Sequence, residues 1–288
     1  MLFPVSPMFL STRSAIRYVS ELTISLAKKK EKIVSFVREQ VSQAGARGVV
    51  VGVSGGVDSA LTLALCVEAL GAARVAAHLM PDSRVTPEED TADALELVNR
   101  LKVSHTLTDI AGIHSAFMRS LPEDKLAEGN LRARIRMCFL YYAANHTGSL
   151  VAGTGDKSEL EMSYFTKYGD GAADILPIGG LFKTEVRAMA RMMGISPKIV
   201  GKPSSPRLWA GQTAKEELGV DYETIDRVLG ILQDSGKPDC SAIAKRLDLD
   251  LLTVESIVNR VVGHRHKREM PRVCAFSDSD NSGKTYFS

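Results

Sequence analysis

Apolar and polar positions divide the chain into two regimes. Between residues 24 and 44, Ile24, Leu26, Ile33, Phe36, Val37 and Val41 recur at helical spacing and predict a helix. Four short runs closed by turn residues follow: GVVVGVS at 48–54, VAAHLMP at 75–81, VSHTLTDI at 103–110 and SLVAGTG at 149–155. A brief β-branched run that is apolar at successive positions, as in the first, marks a strand covered on both faces. Helical patterns separate these runs. One spans 57–71 and ends at Gly71, and one spans 87–101 with Pro87 and acids in its first turn. A short helix is predicted near Ile113 to Leu121, and a long one from about Asn130 to His146. Strand and helix thus alternate, which predicts an α/β fold with a doubly wound parallel sheet. Beyond Gly155 a glycine-rich loop gives way to helices without strands, including AKEELGVDYETIDRVLGILQ and LLTVESIVNRVVGHRHKR. The expected organisation is one domain over 21–272, with a helical appendage at about 213–270. Residues 1–20 read as a flexible extension and 273–288 as a polar, mobile tail.

Composition narrows the classes. With 288 residues the chain can bury a large core, and 44% hydrophobic with 24% charged residues is ordinary for a globular protein. A formal net charge of only +2 argues against nucleic acid as a partner. No apolar run reaches the roughly 18 residues that span a bilayer, so no membrane partner is expected. Cys66, Cys138, Cys240 and Cys274 lack metal-site spacing, and three of them fall in helical segments. A reducing, cytoplasmic setting fits that usage. The amino-terminal stretch is apolar in patches, but Pro4 and Pro7 interrupt it and no small-residue cleavage site follows. Translation could equally start at Met8.

The first strand ends in SGGVDS, with a helix starting inside the motif. In open parallel sheets, ligands lie beyond the carboxyl ends of strands. Gly55 and Gly56 let backbone approach a ligand closely, and N–H groups at a helix start favour an anion. Ser54 and Ser59 add hydroxyls. Asp58 would repel a bare phosphate, but suits one if a divalent metal bridges the two. Neither G-x-x-x-x-G-K-[ST] nor G-x-G-x-x-G is present, and a bland turn would explain the glycine pair alone.

Further blocks restrict the reading. GNLRARIRM (129–137) opens the long helix, where Leu131, Ile135, Cys138 and Tyr142 are spaced to face the core. Arg132 and Arg136 share another face, which could be simply a solvated basic one. GTGDKSE (153–159) should stand beside SGGVDS at the same sheet edge. YFTKYGDGAADILPIGGLFKTEVR (164–187) is too polar and glycine-rich to be mere packing, and PSSPRLW (203–209) and HRHKREMP (264–271) lie beyond it.

SGGVDS resembles the pyrophosphate-binding loop of the N-type ATP pyrophosphatases, whose fold is Rossmann-like, of the adenine nucleotide alpha hydrolase type. GNLRARIRM, GTGDKSE, YFTKYGDGAADI, KTEVR, LWAGQTAKEELG and HKR together resemble, in order and spacing, the ammonia-dependent NAD+ synthetases. The resemblance covers roughly Val49 to Pro271. It implies a ligase that amidates deamido-NAD+ to NAD+ through an acyl-adenylate, with ATP as co-substrate, Mg2+ as cofactor, ammonia as nitrogen donor and a homodimer as the assembly.

Carried over by position, Gly52, Val53, Ser54, Gly55, Gly56, Val57, Asp58, Ser59, Thr154, Lys183 and Ser205 would bind ATP. Asp58 and Glu159 would hold the metal. Arg134, Lys167, Asp174, His266 and Lys267 would contact deamido-NAD+, and Asp58, Lys183 and Asp174 would act in catalysis. One block departs from the pattern: PSSPRLW has Pro206 and Arg207 where the family commonly has Ala and an acid, so Ser204 could replace Ser205. Fewer than fifty residues precede the first strand, too few for an amino-terminal glutaminase domain; a separate glutaminase subunit is left open. The alternatives are another ATP pyrophosphatase, GMP synthetase-like or tRNA-modifying, and a catalytically silent nucleotide sensor.

Overall fold

Four short parallel strands carry the site. The computed structural model describes residues 12–234 and 239–271, together with Cys274. β1 (Val49–Gly52) pairs with β2 (Val75–Leu79) on one side and with β4 (Leu150–Ala152) on the other, and β3 (Ser104–Leu107) lies outside β2. All three pairings are parallel, with Val51 opposite both Ala77 and Ala152. The order β3-β2-β1-β4 reverses direction between β1 and β4, where a doubly wound sheet opens its ligand crevice.

The predicted strands are all present, and helices cover both faces of the sheet. Val49 and Val51 face a core built with α1 (Thr12–Gln43), α2 (Val57–Leu70) and α7 (Lys183–Met192). Val50 and Val151 face the other way, toward Ala144 and Leu140 of α5 (Lys125–Thr147). Because α2 is enclosed by β1, α1 and α7, it is apolar nearly all round and buries Leu61, Leu63, Leu65 and Cys66 completely. α3 (Glu88–Arg100) and α4 (Ala111–Met118) complete the crossovers.

A second core belongs to the helical appendage. α9 (Ala214–Leu218), α10 (Tyr222–Asp234), α11 (Cys240–Leu247) and α12 (Leu251–Gly263) bury Ile225, Val228, Ile243, Val254 and Ile257 together, with Met162 from the end of α6 (Lys157–Glu161). α8 (Pro197–Gly201) joins the first core instead. None of the helices among the described residues is long and apolar enough to cross a membrane.

Three expectations change. α1 starts at Thr12 rather than near residue 24. Residues 1–11 and nearly all of the expected tail lie outside the described residues. α5 begins at Lys125, five residues earlier than its apolar pattern suggests, because Asp124 caps it by accepting a hydrogen bond from Ala127 N–H at 2.7 Å. On α5, Cys138 and Tyr142 are exposed, not inward. Ile135 is buried and Leu131 packs against its cluster, as expected. The inward surface also includes Gly129, Arg132, Ala133, Arg136, Leu140 and Ala144, in which arginines occupy positions that apolar spacing assigns to solvent.

Candidate active site

The turn after β1 is shaped by what lies behind it. Gly55 has φ +82°, and a β-carbon there would stand 2.1 Å from the Asp90 carbonyl oxygen, so only glycine fits. Ser59 Oγ donates to the Gly56 carbonyl at 3.1 Å and accepts from Ser54 N–H at 3.2 Å, closing the turn on itself. Gly56 is the N-cap of α2 and offers no side chain to it, which leaves the first N–H groups of this 14-residue helix available to an anion.

Beside this turn, Lys183 extends its ammonium among three carboxylates. Its Nζ lies 2.8 Å from Asp58 Oδ1, 2.8 Å from Asp156 Oδ2 and 2.8 Å from Glu159 Oε1, and 5.1 Å from the Tyr222 ring centre. Lys183 and Asp156 are fully buried. Asp58 comes from the first turn of α2, and the other two acids belong to α6, where Asp156 accepts from Glu159 N–H at 2.9 Å and Glu159 Oε2 accepts from Asp156 N–H at 3.3 Å. The lysine is fixed from its backbone outward. Lys183 N–H donates to Ser158 Oγ at 2.9 Å, Thr184 N–H donates to Asp226 Oδ2 at 2.9 Å, and Ser158 Oγ donates to Asp226 Oδ1 at 2.5 Å. A carboxylate of α10 thereby satisfies the orphan donors that begin α7.

Burial raises the Asp156 carboxyl to about 6 despite the adjacent ammonium, and burial also raises Glu159 well above the ordinary range. Burial alone would lower the Lys183 ammonium, but Asp156, Asp58 and Glu159 overcome it and raise the group. Three acids against one cation leave an excess of negative charge, and one oxygen from each acid lies within 4.8 Å of the others. Hard oxygen donors in that arrangement fit a divalent ion such as Mg2+. Asp156 Oδ2, buried and without a well-directed hydrogen bond, strengthens the fit. Asp156 is also the residue that sequence reasoning missed; its place in GTGDKSE, three residues before Glu159, is a capping-box signal that could have found it.

The cluster opens into a cavity of about 230 Å3 at the strand ends. Ser54, Asp58, Ser59, Thr154 and Ser205 stand on its wall, and Met80, Ala94, Met137 and Leu140 contribute apolar lining. Arg132 and Arg136 are not a solvated face. Arg132 Nε donates to the buried Asp82 carboxylate at 2.8 Å and its Nη1 to the Leu208 carbonyl at 3.1 Å, and Arg136 donates to the Met80 carbonyl at 2.9 Å.

Four of the remaining expected site residues, Arg134, Lys167, His266 and Lys267, form a second group outside the cavity wall. Arg134 Nη2 donates to the Lys167 carbonyl at 3.3 Å, Lys167 Nζ to the His266 carbonyl at 2.6 Å, and Lys267 Nζ to the Ser163 carbonyl at 2.7 Å. Asp174 belongs to neither group. It accepts from Val151 N–H at 2.7 Å and Tyr141 O–H at 3.2 Å on the outer edge of β4, so the structure does not bring it to the Lys183 cluster. The Val151 N–H is a free edge donor that only a neighbouring acceptor can satisfy, a constraint invisible in sequence.

Residues 29–271 match the family model described as NAD synthase. A curated protein from Hyperthermus butylicus, called NH(3)-dependent NAD(+) synthetase, is 51% identical over 83% of this chain and 87% of its own length. Among solved structures, NH3-dependent NAD synthetase from Campylobacter jejuni superposes with a TM-score of 0.73 at 33% identity, covering 87% of this chain and 99% of that one. NMN synthetase from Francisella tularensis superposes with a TM-score of 0.77 at 32% identity, with 87% and 99% covered.

Proposed function

The chain belongs to the NAD synthase family, and from that premise we propose that it amidates deamido-NAD+ to NAD+ with ammonia, splitting ATP into AMP and pyrophosphate. The observation that carries this reading is the placement of Asp58, Glu159 and Lys183 in one cluster beside an open helix N-terminus, with Asp58 and Glu159 on the wall of a cavity at the sheet's switch point. The turn from Gly52 to Ser59 receives the phosphates through its N–H groups and hydroxyls. Thr154 and Ser205 line the nucleotide from the far side, and the apolar wall suits a purine.

Mg2+, held by Asp58 and Glu159 with Asp156 beside them, would neutralise charge on the pyrophosphate as it leaves. Lys183 supplies a second positive charge at the same place, and the carboxylates around it keep it protonated against the effect of burial. The substrate carboxylate attacks the α-phosphorus, giving an acyl-adenylate with release of pyrophosphate; ammonia then attacks the carbonyl carbon and AMP departs. Arg134, Lys167, His266 and Lys267 hold the far part of the dinucleotide. A role for Asp174 in orienting or deprotonating the ammonium requires that substrate reach the β4 edge, where Tyr141 already holds its carboxylate.

We also infer a homodimer and a cytoplasmic setting. The dimer is supported by exposed apolar side chains on the α4–α5 side, Phe117, Leu121, Leu126 and Tyr142, the last 73% exposed. A mononucleotide substrate is the second reading, motivated by the likeness to the Francisella protein. The basic group around Lys167, away from the cavity wall, favours the longer dinucleotide.

The test supplies the purified chain with ATP, Mg2+ and ammonium, and with either deamido-NAD+ or its mononucleotide counterpart. NAD+ and AMP should form in equal amounts from the dinucleotide, and ammonium should serve without glutamine. Exclusive use of the mononucleotide, or of glutamine, would overturn the corresponding assignment. Asp58→Asn should cut turnover by about 10²–10³-fold while the circular dichroism spectrum stays native; undiminished turnover would remove Asp58 from the chemistry.

A further inference from the structure

The segment that departs from the family pattern also crosses the cavity. PSSPRLW lies between α8 and α9, and Ser204, Ser205, Pro206, Arg207 and Leu208 all line the cavity wall. Arg207 adopts φ +50°, a left-handed conformation uncommon for a side-chain-bearing residue. The surroundings enforce it: Arg207 N–H donates to Ser205 Oγ at 3.1 Å, Leu208 N–H to Gln212 Oε1 at 2.7 Å, and Arg132 grips the Leu208 carbonyl. Backbone strain held by its neighbours is a reason to look for function.

The Arg207 side chain is aimed by Asp90. Its Nε lies 2.8 Å from Asp90 Oδ2, while Lys202 Nζ lies 2.6 Å from Asp90 Oδ1 and 2.6 Å from Asp93 Oδ2. Asp90 is buried, and its carbonyl oxygen is the atom that presses on Gly55 of the phosphate turn. Lys202 Nζ also reaches the Gly55 carbonyl at 3.4 Å. One residue therefore separates the guanidinium from the turn that receives phosphate. Among the described residues, both terminal nitrogens of Arg207 lack a hydrogen-bond partner, although the side chain forms part of the wall. A guanidinium fork with two open donors matches phosphate oxygens in a way that the family's usual acid at this position would oppose.

We propose that Arg207 is a polyphosphate-binding residue, whose terminal nitrogens hold the outer two phosphates of ATP that leave as pyrophosphate. Asp90 and Lys202 are positioning residues that keep it aimed. The proposal deepens the ATP-consuming reading above and rests on it. It also accounts for Pro206, which pre-sets the backbone just before the left-handed turn.

The test measures equilibrium binding of pyrophosphate, ATP and AMP separately, each with Mg2+, to the full chain and to Arg207→Ala. Pyrophosphate and ATP should bind about tenfold or more weakly in the variant, as for a lost charge-assisted hydrogen bond, with AMP changed by less than about twofold. Arg207→Lys should recover part of the pyrophosphate affinity. Unchanged pyrophosphate binding would overturn the proposal, and so would equal weakening of AMP and pyrophosphate, the mark of a merely structural role. If Arg207→Ala fails to fold, Arg207→Gln, which retains most of the stem, is judged by the same comparison. Absence of ATP binding in the unaltered chain would instead overturn the functional reading on which the proposal stands.

Discussion

A single hydrogen atom in place of a side chain at Gly55 lets the phosphate turn press against α3. Gly55→Ala would place a methyl group 2.1 Å from the Asp90 carbonyl oxygen and hold it at a positive φ. The neighbour is backbone and cannot rotate away, so the turn itself must shift. ATP affinity should fall by more than tenfold, read as a loss of binding heat, while the melting temperature drops by only a few degrees because the turn is at the surface of the core. Arg132 is sensitive for the opposite reason, since it is buried and bonded to both Asp82 and the Leu208 carbonyl. Arg132→Met leaves Asp82 short of a partner and should destabilise the fold by about 3–5 kcal/mol in urea titrations. Burial would raise the Asp82 carboxyl, but hydrogen bonds from Arg84 and Arg132 outweigh it and hold the group well below the ordinary range. A depressed carboxylate stabilises the native state above its unfolded-state pKa, near 4, and loses that contribution as pH falls below it. The gap between the parent and Arg132→Met should therefore narrow as pH drops from about 5 to 2.

At the scale of elements, strands and caps were more legible than faces. β1, β2 and β4 stand where short apolar runs bounded by turn residues place them, because a parallel strand with buried faces needs little beyond that pattern. β3 is instead a polar, exposed edge strand marked mainly by its place in the alternation. The phosphate turn was legible for the same local reason: its chemistry sits in consecutive residues. α5 misled because its inward stripe contains Arg132 and Arg136, whose partners Asp82 and Met80 lie some fifty residues away in sequence. No helical periodicity can register a charge that is buried against a distant acid. Asp156 and Asp90 escaped notice likewise, since the partners that give each its place, among them Lys183 for the one and Lys202 and Arg207 for the other, are brought to it by the fold. The second group, from Arg134 to Lys267, came from resemblance; its members contact one another chiefly through backbone carbonyls, which sequence does not display.

On the whole-molecule scale, two cores meet at the cavity. The sheet core supplies the strand ends, and the appendage core contributes Ala214 and Tyr222 to the cavity wall. The exposed apolar residues on the α4–α5 side, Tyr142 among them, are where the proposed dimer would form. If the proposed dimer uses that surface, Tyr142→Glu, a charge set on its most exposed aromatic residue, should convert a particle of about twice 31.2 kDa to one of 31.2 kDa by light scattering, with the circular dichroism unchanged. A variant that keeps the dimeric mass would place the contact elsewhere.

The carboxylate of Asp226 ties these scales together. It belongs to α10, touches neither phosphate turn nor cavity, and yet closes the first turn of α7 by accepting from Thr184 N–H and Ser158 Oγ. The ammonium of Lys183, which the proposed mechanism places beside the leaving pyrophosphate, is thus surveyed into position by a helix to which that mechanism assigns no reacting group. Drift in the appendage would be registered as misalignment far from where it occurred, so that part of the chain is as constrained by turnover as the loop that first drew notice.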